Sequence, residues 1–276
     1  MSKDAQKTIV YFDIDGTLLD SSRNIRLSAS TADAVRELKA RGHLVAVNTG
    51  RSFGFIPPEV TALDFDAYIA GCGTYVSYRG ETIINRLFSD QEVRRIVDLF
   101  RQERLDMILE GPEHVYFEEV GFDPVVVADT KLMFSDSQSI KYLHQDPILA
   151  NKISFIVKSP DKDRRIRAAL ADFMSFVIYP QHLREGLPHG FNKASGMIAL
   201  ERIIGEVRSY AFGDSVNDLE MLEYADVGIV MGNGQDAAKA IGDRIALPLA
   251  EDGVADMLKQ LNLIEGTGNG RHAGGK

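Results

Sequence analysis

Thr8-Ile9-Val10-Tyr11-Phe12-Asp13-Ile14-Asp15-Gly16-Thr17 is an apolar run that ends abruptly in two carboxylates and a turn. Ile9 to Phe12 reads as a strand buried on both faces. The Gly-Thr pair that follows the carboxylates breaks the strand. Carboxylates are costly to bury unless a cation or hydrogen-bond donors compensate them. Two of them at the end of a buried strand point to a held metal and a working acid. An ordinary turn capping a helix is the plainer alternative, and the decapeptide alone does not separate the two.

The flanking pattern sets the architecture. Leu27, Thr31, Val35 and Leu38 recur at helical spacing, and Gly42 follows as a stop signal. His43 to Asn48 reads as a second strand and Tyr68 to Ala70 as a short third one. This alternation implies a parallel sheet with helices on both faces, in which ligands bind beyond the carboxyl ends of the strands. Asp13 and Thr49 fall at such ends. The pattern then changes. Tyr78-Arg79-Gly80-Glu81 separates two β-like runs as a hairpin signal, and Ser89-Asp90-Gln91-Glu92 has the spacing of a capping box. Strands are expected at 106–109, 115–118, 152–157 and 176–179, with a helix at 162–173. Alternation resumes after Asn192, with a helix through Met197, Leu200 and Ile204, strands at 209–212 and 227–230, and helices at 218–224, 236–241 and 254–261.

The expected fold class is therefore α/β: a doubly wound, Rossmann-like parallel sheet core with an inserted α+β domain. Residues 1–85 and 184–265 are assigned to the core and 86–183 to the insert. The Gly-rich tail, 266–276, is expected to be disordered.

Composition narrows the function. The chain has 276 residues, long for one compact domain and suited to a large domain plus an insert. No apolar run approaches a membrane span. The N-terminus enters a strand without a signal-peptide core, and the lone Cys72 forms no internal disulfide, so a cytoplasmic enzyme is expected. Net charge is −9, and no Lys/Arg block resembles a phosphate-backbone stripe, which disfavours a nucleic-acid partner. An anionic small molecule would need a metal or individually placed cations. Gly232-Asn233-Gly234 lacks the third glycine of a dinucleotide fingerprint. No paired base near Cys72 marks it as a nucleophile, and nothing marks His182 or His189 as catalytic.

Three further segments carry chemistry of the same kind: Asn48-Thr49-Gly50-Arg51, Asn192-Lys193 and Gly213-Asp214-Ser215-Val216-Asn217-Asp218. Taken singly they read as a loop, a solvated helix start and a turn. Taken in order, at these strand ends, they resemble the four-motif pattern of the haloacid dehalogenase (HAD) superfamily. The resemblance covers the core on both sides of the insert, whose place matches that superfamily's C2 (IIB) cap, and is closest to the Cof-type sugar-phosphate phosphatases. Asp252-Gly253-Val254-Ala255 resembles the family's closing segment. Gly71-Cys72-Gly73 stands where the family usually has an Asn-Gly-Ala-like sequence.

The resemblance implies roles. Asp13 is the expected nucleophile, and Asp15 the general acid and then base. Mg²⁺ is expected on Asp13, Asp214 and the Asp15 carbonyl, with Asp218 in support. Thr49, Gly50, Asn217 and the Ile14 N–H are expected on the phosphoryl group, and Lys193 on both phosphate and Asp13. Arg51 either binds substrate or caps a helix. Asp15 points to a phosphatase or phosphomutase, since dehalogenases of this superfamily lack that acid. The expected substrate is a small phosphorylated metabolite. A phosphomutase, or a binding protein without turnover, remains an alternative. The sequence leaves oligomeric state open.

Overall fold

The computed structural model describes residues 7–20, 23–134, 139–145 and 147–265. The expectation for the tail, 266–276, lies outside the described residues.

Strand β1 (Thr8–Phe12) is an inner strand of an eight-stranded sheet, and every one of its residues is buried. It pairs in parallel with β2 (Leu44–Asn48) on one side and with β12 (Arg208–Gly213) on the other. The parallel part continues outward to β3 (Ala67–Ala70) at one edge. At the other it runs through β13 (Val227–Val230) to β14 (Arg244–Ile245). The hairpin β4 (Tyr75–Tyr78) and β5 (Glu81–Asn85) adds two antiparallel strands beyond β3, turning through Arg79 and Gly80 at φ 50° and 83°. Chain order runs away from β1 in both directions, so the β1–β12 seam is where the sheet's winding reverses. Such a seam opens a crevice at the carboxyl ends of its strands.

Side chains of β1 alternate between two cores. Val10 and Phe12 join one with Val35 and Leu38 of helix α1 (Ala29–Ala40) and with Val254 and Leu258. Ile9 and Tyr11 join the other with Met197 and Leu200. Phe12 stacks on Phe212 across the seam, centroids 5.3 Å apart. Ser28 caps α1 by accepting the Thr31 N–H, so Leu27 precedes the helix and packs against the core from outside it.

The insert forms a second sheet of six strands. They are β6 (Ile108–Glu110), β7 (Val115–Phe117), β8 (Ile140–Tyr142), β9 (Lys152–Ile156), β10 (Met174–Ile178) and β11 (Leu183–Pro188). Their spatial order is β10-β11-β9-β6-β7-β8. One face packs on two helices. The first, Asp90–Glu103, starts at the expected Ser89–Glu92 capping box; the second spans Pro160–Leu170. Phe100 meets Phe155 edge-on there at 4.9 Å. The helix Pro124–Met133 and strands β8, β11 and β14 were not expected from sequence.

β11 is the instructive case, because it lies past residue 183, where the chain was expected to leave the insert. Leu183-Arg184-Glu185-Gly186-Leu187-Pro188 shows no apolar alternation and carries two strand-breaking residues. It nonetheless sits between β9 and β10 because Gly186 permits it: a Cβ there would fall 2.4 Å from Met174 Sδ and 2.7 Å from Ile153 Cγ2. Gly186→Ala should therefore lower unfolding free energy by about 1–3 kcal/mol, the cost of overpacking a filled core. Urea denaturation measures it, and an unchanged midpoint would contradict the close approach.

Candidate active site

Three carboxylates and one ammonium meet at the β1–β12 seam. Asp13 extends the ladder beyond β1, its N–H donating to Phe212 O at 2.9 Å. Asp214 follows directly on Gly213, the last residue of β12. Asp218 lies in the short 3₁₀ turn Val216–Asp218 that turns the chain back toward the seam. Lys193 is the first residue of helix α6 (Lys193–Ile204), whose N-cap Asn192 and Ser195 form a reciprocal capping box. Asn48, at the end of β2, donates to the Lys193 carbonyl at 3.1 Å and anchors that helix start against the sheet.

Lys193 is fully buried and is not a solvated helix residue. Its ammonium donates to Asp13 Oδ1 at 2.6 Å and to Asp218 Oδ1. Burial alone would lower its pKa, but the two carboxylates outweigh that and hold it above the usual lysine range. Asp218 is saturated, since its Oδ2 accepts the N–H groups of Asp214 and Ser215, each at 2.9 Å. It therefore fixes the turn and orients Lys193.

The imbalance of charge falls on the other two carboxylates. Burial pushes the Asp13 carboxyl well above its usual range; Lys193 opposes the rise, and Asp218, Asp214 and Asp15 reinforce it. Burial and Asp218 likewise push Asp214 up to about 7, against the pull of Lys193. Asp214 Oδ1 is buried and accepts no hydrogen bond among the described residues. Its other oxygen packs on Gly16, where a Cβ would fall 2.2 Å away and where φ is +86°. One oxygen from each of Asp13, Asp214 and Asp218 lies within 4.8 Å of the others. An all-oxygen, strongly anionic set of this kind fits a hard divalent cation.

The remaining expected residues surround this cluster. Ile14 is buried, and its carbonyl accepts the Leu18 N–H at 2.9 Å and the Leu19 N–H at 3.0 Å. Thr49 is buried at the end of β2, and its Oγ1 accepts the Arg51 N–H at 3.1 Å. Asn217 Nδ2 lies 3.1 Å from where a Cβ on Gly50 would be. Asp15 stands outside the three-carboxylate group: Arg51 grips both its oxygens, Nε to Oδ2 at 2.7 Å and Nη2 to Oδ1 at 2.6 Å. Sequence reasoning weighed Arg51 as a substrate ligand or a helix cap and missed this pairing, whose partner is 36 residues away. Cys72, between two glycines, adopts a left-handed conformation at φ 51°, which costs a non-glycine residue roughly 1–2 kcal/mol. Asn tolerates this region better than Cys does. Burial pushes its thiol up to about 12, so no thiolate is available at neutral pH.

Comparison with known proteins agrees with this geometry. The family model described as haloacid dehalogenase-like hydrolase matches residues 10–258. The chain belongs to that family, and it is an enzyme of the HAD phosphatase type. YkrA of Bacillus subtilis is 31% identical over 266 residues, spanning 93% of this chain and 98% of that protein. The 5-amino-6-(5-phospho-D-ribitylamino)uracil phosphatase YitU of the same organism is 30% identical over 266 residues, covering 91% of this chain and 96% of its own. Among solved structures, the HAD subclass IIB sugar phosphatase BT4131 superposes with a TM-score of 0.80 at 22% identity, covering 94% of this chain and all of that one. The shared fold includes the second sheet.

Because Lys193 compensates two buried carboxylates at once, Lys193→Met should destabilise the protein by about 3–5 kcal/mol, the cost of leaving buried charge unpaired. Denaturant titration at pH 8 checks this. A loss under about 1 kcal/mol would show that the carboxylates are solvated instead.

Proposed function

We propose that this chain is a Mg²⁺-dependent phosphatase of small phosphate monoesters, sugar phosphates foremost, acting through an aspartyl-phosphate on Asp13. The observation that carries the reading is the buried Asp13 carboxylate, one oxygen held by Lys193 and the other left to attack. A phosphate ester is anionic and is attacked here by an anion, so the site must supply positive charge. Asp13 and Asp214 would hold Mg²⁺, which would add positive charge there and stabilise charge on the transferring group.

The chain's own residues divide the rest. Lys193 holds Asp13 in line and offsets repulsion. Thr49, the Ile14 main chain and Asn217 orient the phosphoryl oxygens. Asp15 donates a proton to the leaving alcohol and later takes one from water. In this structure both of its oxygens accept from Arg51. Donation in the first step requires that the Arg51 contact loosen.

The second sheet, read as a cap domain over the core, closes the compartment. A cavity of about 220 Å³ lies between them. Cys72, Lys193 and Asn217 line it from the core, and Ser175, Val177 and Leu187 from the cap. Its mixed lining and size suit a hydroxylated alcohol of sugar dimensions. The substrate in the name of YitU, a phosphorylated ribityl compound, belongs to that class. A cytoplasmic location is part of the same reading. Among the described residues, no helix is long and apolar enough to cross a membrane.

Asp13→Asn should abolish release of inorganic phosphate from a panel of sugar phosphates, a fall of more than about a thousandfold in kcat. Retained turnover would remove Asp13 from its role. Free phosphate as product, without a transferred sugar phosphate, separates hydrolysis from mutase action.

A second expectation follows from Asp214, whose folded pKa of about 7 lies above its ordinary carboxylate value. Between that ordinary value and about 7 the native metal-free protein binds more protons than the unfolded chain, so its stability falls as pH rises through the window. Mg²⁺ relieves the charge that remains. The rise in Tm on adding Mg²⁺ should therefore be larger at pH 8 than at pH 5, by differential scanning fluorimetry. A Mg²⁺ shift independent of pH would contradict this.

A further inference from the structure

The face of the six-stranded sheet that looks toward the core is polar, although it is buried. Glu110 on β6, Lys152 on β9 and Glu185 on β11 meet there, Lys152 only 3% exposed. The Lys152 ammonium reaches Glu185 Oε1 at 2.7 Å and Glu110 Oε1 at 3.2 Å. Tyr179 donates to the other Glu185 oxygen at 2.7 Å. A lysine that served only its own sheet would be satisfied by the two carboxylates. This one makes a third bond, out of its sheet, to the Gly50 carbonyl at 2.8 Å, 102 residues away.

That carbonyl belongs to the peptide unit at the centre of the proposed phosphoryl-binding loop. The same unit's N–H, on Arg51, donates to Thr49 Oγ1. The peptide is thus clamped at both ends, by a cap ammonium on its oxygen and by the Thr49 hydroxyl oxygen on its hydrogen. Because Thr49 Oγ1 is an acceptor in that bond, its own proton stays available to another acceptor. The side chain on the clamped unit is Arg51, which grips Asp15. Two more contacts fasten the loop to the cap: Gly54 N–H to Pro112 O at 2.6 Å, and Ser52 Oγ to Glu110 Oε2 at 3.4 Å.

We propose that Lys152 is a positioning residue for phosphoryl transfer: through the Gly50 carbonyl it fixes the peptide that aims the Thr49 hydroxyl and carries Arg51, and so ties the geometry of the site to the seating of the cap. This rests on the phosphatase reading and on the place of Thr49 in it. It assigns function to a cap residue that touches neither substrate nor the reacting atoms. The ammonium also polarises the peptide it binds, which strengthens the bond on the peptide's far side.

The test uses Lys152→Met and the charge-balanced Lys152→Met/Glu185→Gln, which removes one charge of each sign and leaves Glu110 with its Ser52 and Ser154 hydroxyl partners. Both are made in the wild-type and Thr49→Val backgrounds. The readouts are Tm, kcat and KM for p-nitrophenyl phosphate, and the inhibition constant of inorganic phosphate. In the wild-type background the balanced variant should keep its Tm, lose about 10- to 100-fold in kcat/KM, and bind phosphate more weakly. In the Thr49→Val background the same change should cost less than about 2-fold, because the group it acts through is gone. Lys152→Arg should recover part of the loss.

Equal losses in both backgrounds would overturn the proposal, as would a folded balanced variant with wild-type kcat and phosphate affinity. Collapse of the Tm in both Met variants would assign the triad to cap stability and overturn it as well. Failure of the phosphatase reading looks different: the wild-type protein itself would release no phosphate.

Discussion

Three carboxylates and one ammonium buried at one point of a sheet are the constraint from which the site follows. Lys193 reaches Asp13 and Asp218 only because α6 begins at that residue and Asn48 ties its first carbonyl to β2. Asp13 and Asp214 stand side by side only because β1 and β12 are parallel neighbours with Phe12 opposite Phe212. Desolvation makes each of these charges expensive. The ammonium can satisfy two carboxylates; the third, Asp214, keeps a buried oxygen without a donor. A structure that retains such an atom is poised for a cation, and the same excess of negative charge that raises the Asp13 and Asp214 pKa values is what a cation would relieve.

Much of this was legible in the chain because it is local. The apolar run into Asp13, the Ser89–Glu92 box and the Arg79-Gly80 hairpin each declare themselves within a few residues, by burial, capping or turn chemistry. Three of the four chemical segments could be placed at strand ends, and Asn192-Lys193 at a helix start, once alternation was read. What stayed hidden depends on partners distant in sequence. The grip of Arg51 on Asp15 spans 36 residues and the reach of Lys152 to Gly50 spans 102. Strand β11 was hidden for a related reason. Its inward Glu185 is paired by Lys152 and Tyr179, and its Gly186 makes room for Met174 and Ile153. Periodicity looks for apolar side chains on a buried face, and this face is buried and charged.

That charged face distinguishes the six-stranded sheet from one layer of a sandwich. Its far side carries Leu109, Ile153 and Phe155 against two helices and gives the sheet a core of its own. Its near side bonds the core through polar groups, each with a defined partner, where a second apolar face would adhere without regard to register. Hydrogen bonds are directional and hydrophobic contact is not. A lid seated by bonds to Gly50, Ser52 and Gly54 therefore has one correct position over the loop that carries Thr49 and Arg51.

The same arrangement explains how a chain of net charge −9 accommodates an anionic ester. Its overall charge does not attract such an ester, so recognition leans on close contacts, which gain strength wherever water is excluded. Lys152 is already saturated by Glu110, Glu185 and Gly50, so it offers nothing to a ligand. On the proposed reading, positive charge for the phosphoryl group comes from Lys193 and from a cation at Asp13 and Asp214. On the same reading the alcohol portion would face Ser175, Val177 and Leu187 of the cavity lining, none of them charged. The phosphate end is read by electrostatics common to every ester, and the alcohol end by shape and a few hydroxyl contacts. Differences in substrate choice between relatives on this fold should accordingly reside in the cavity-lining residues of β10 and β11.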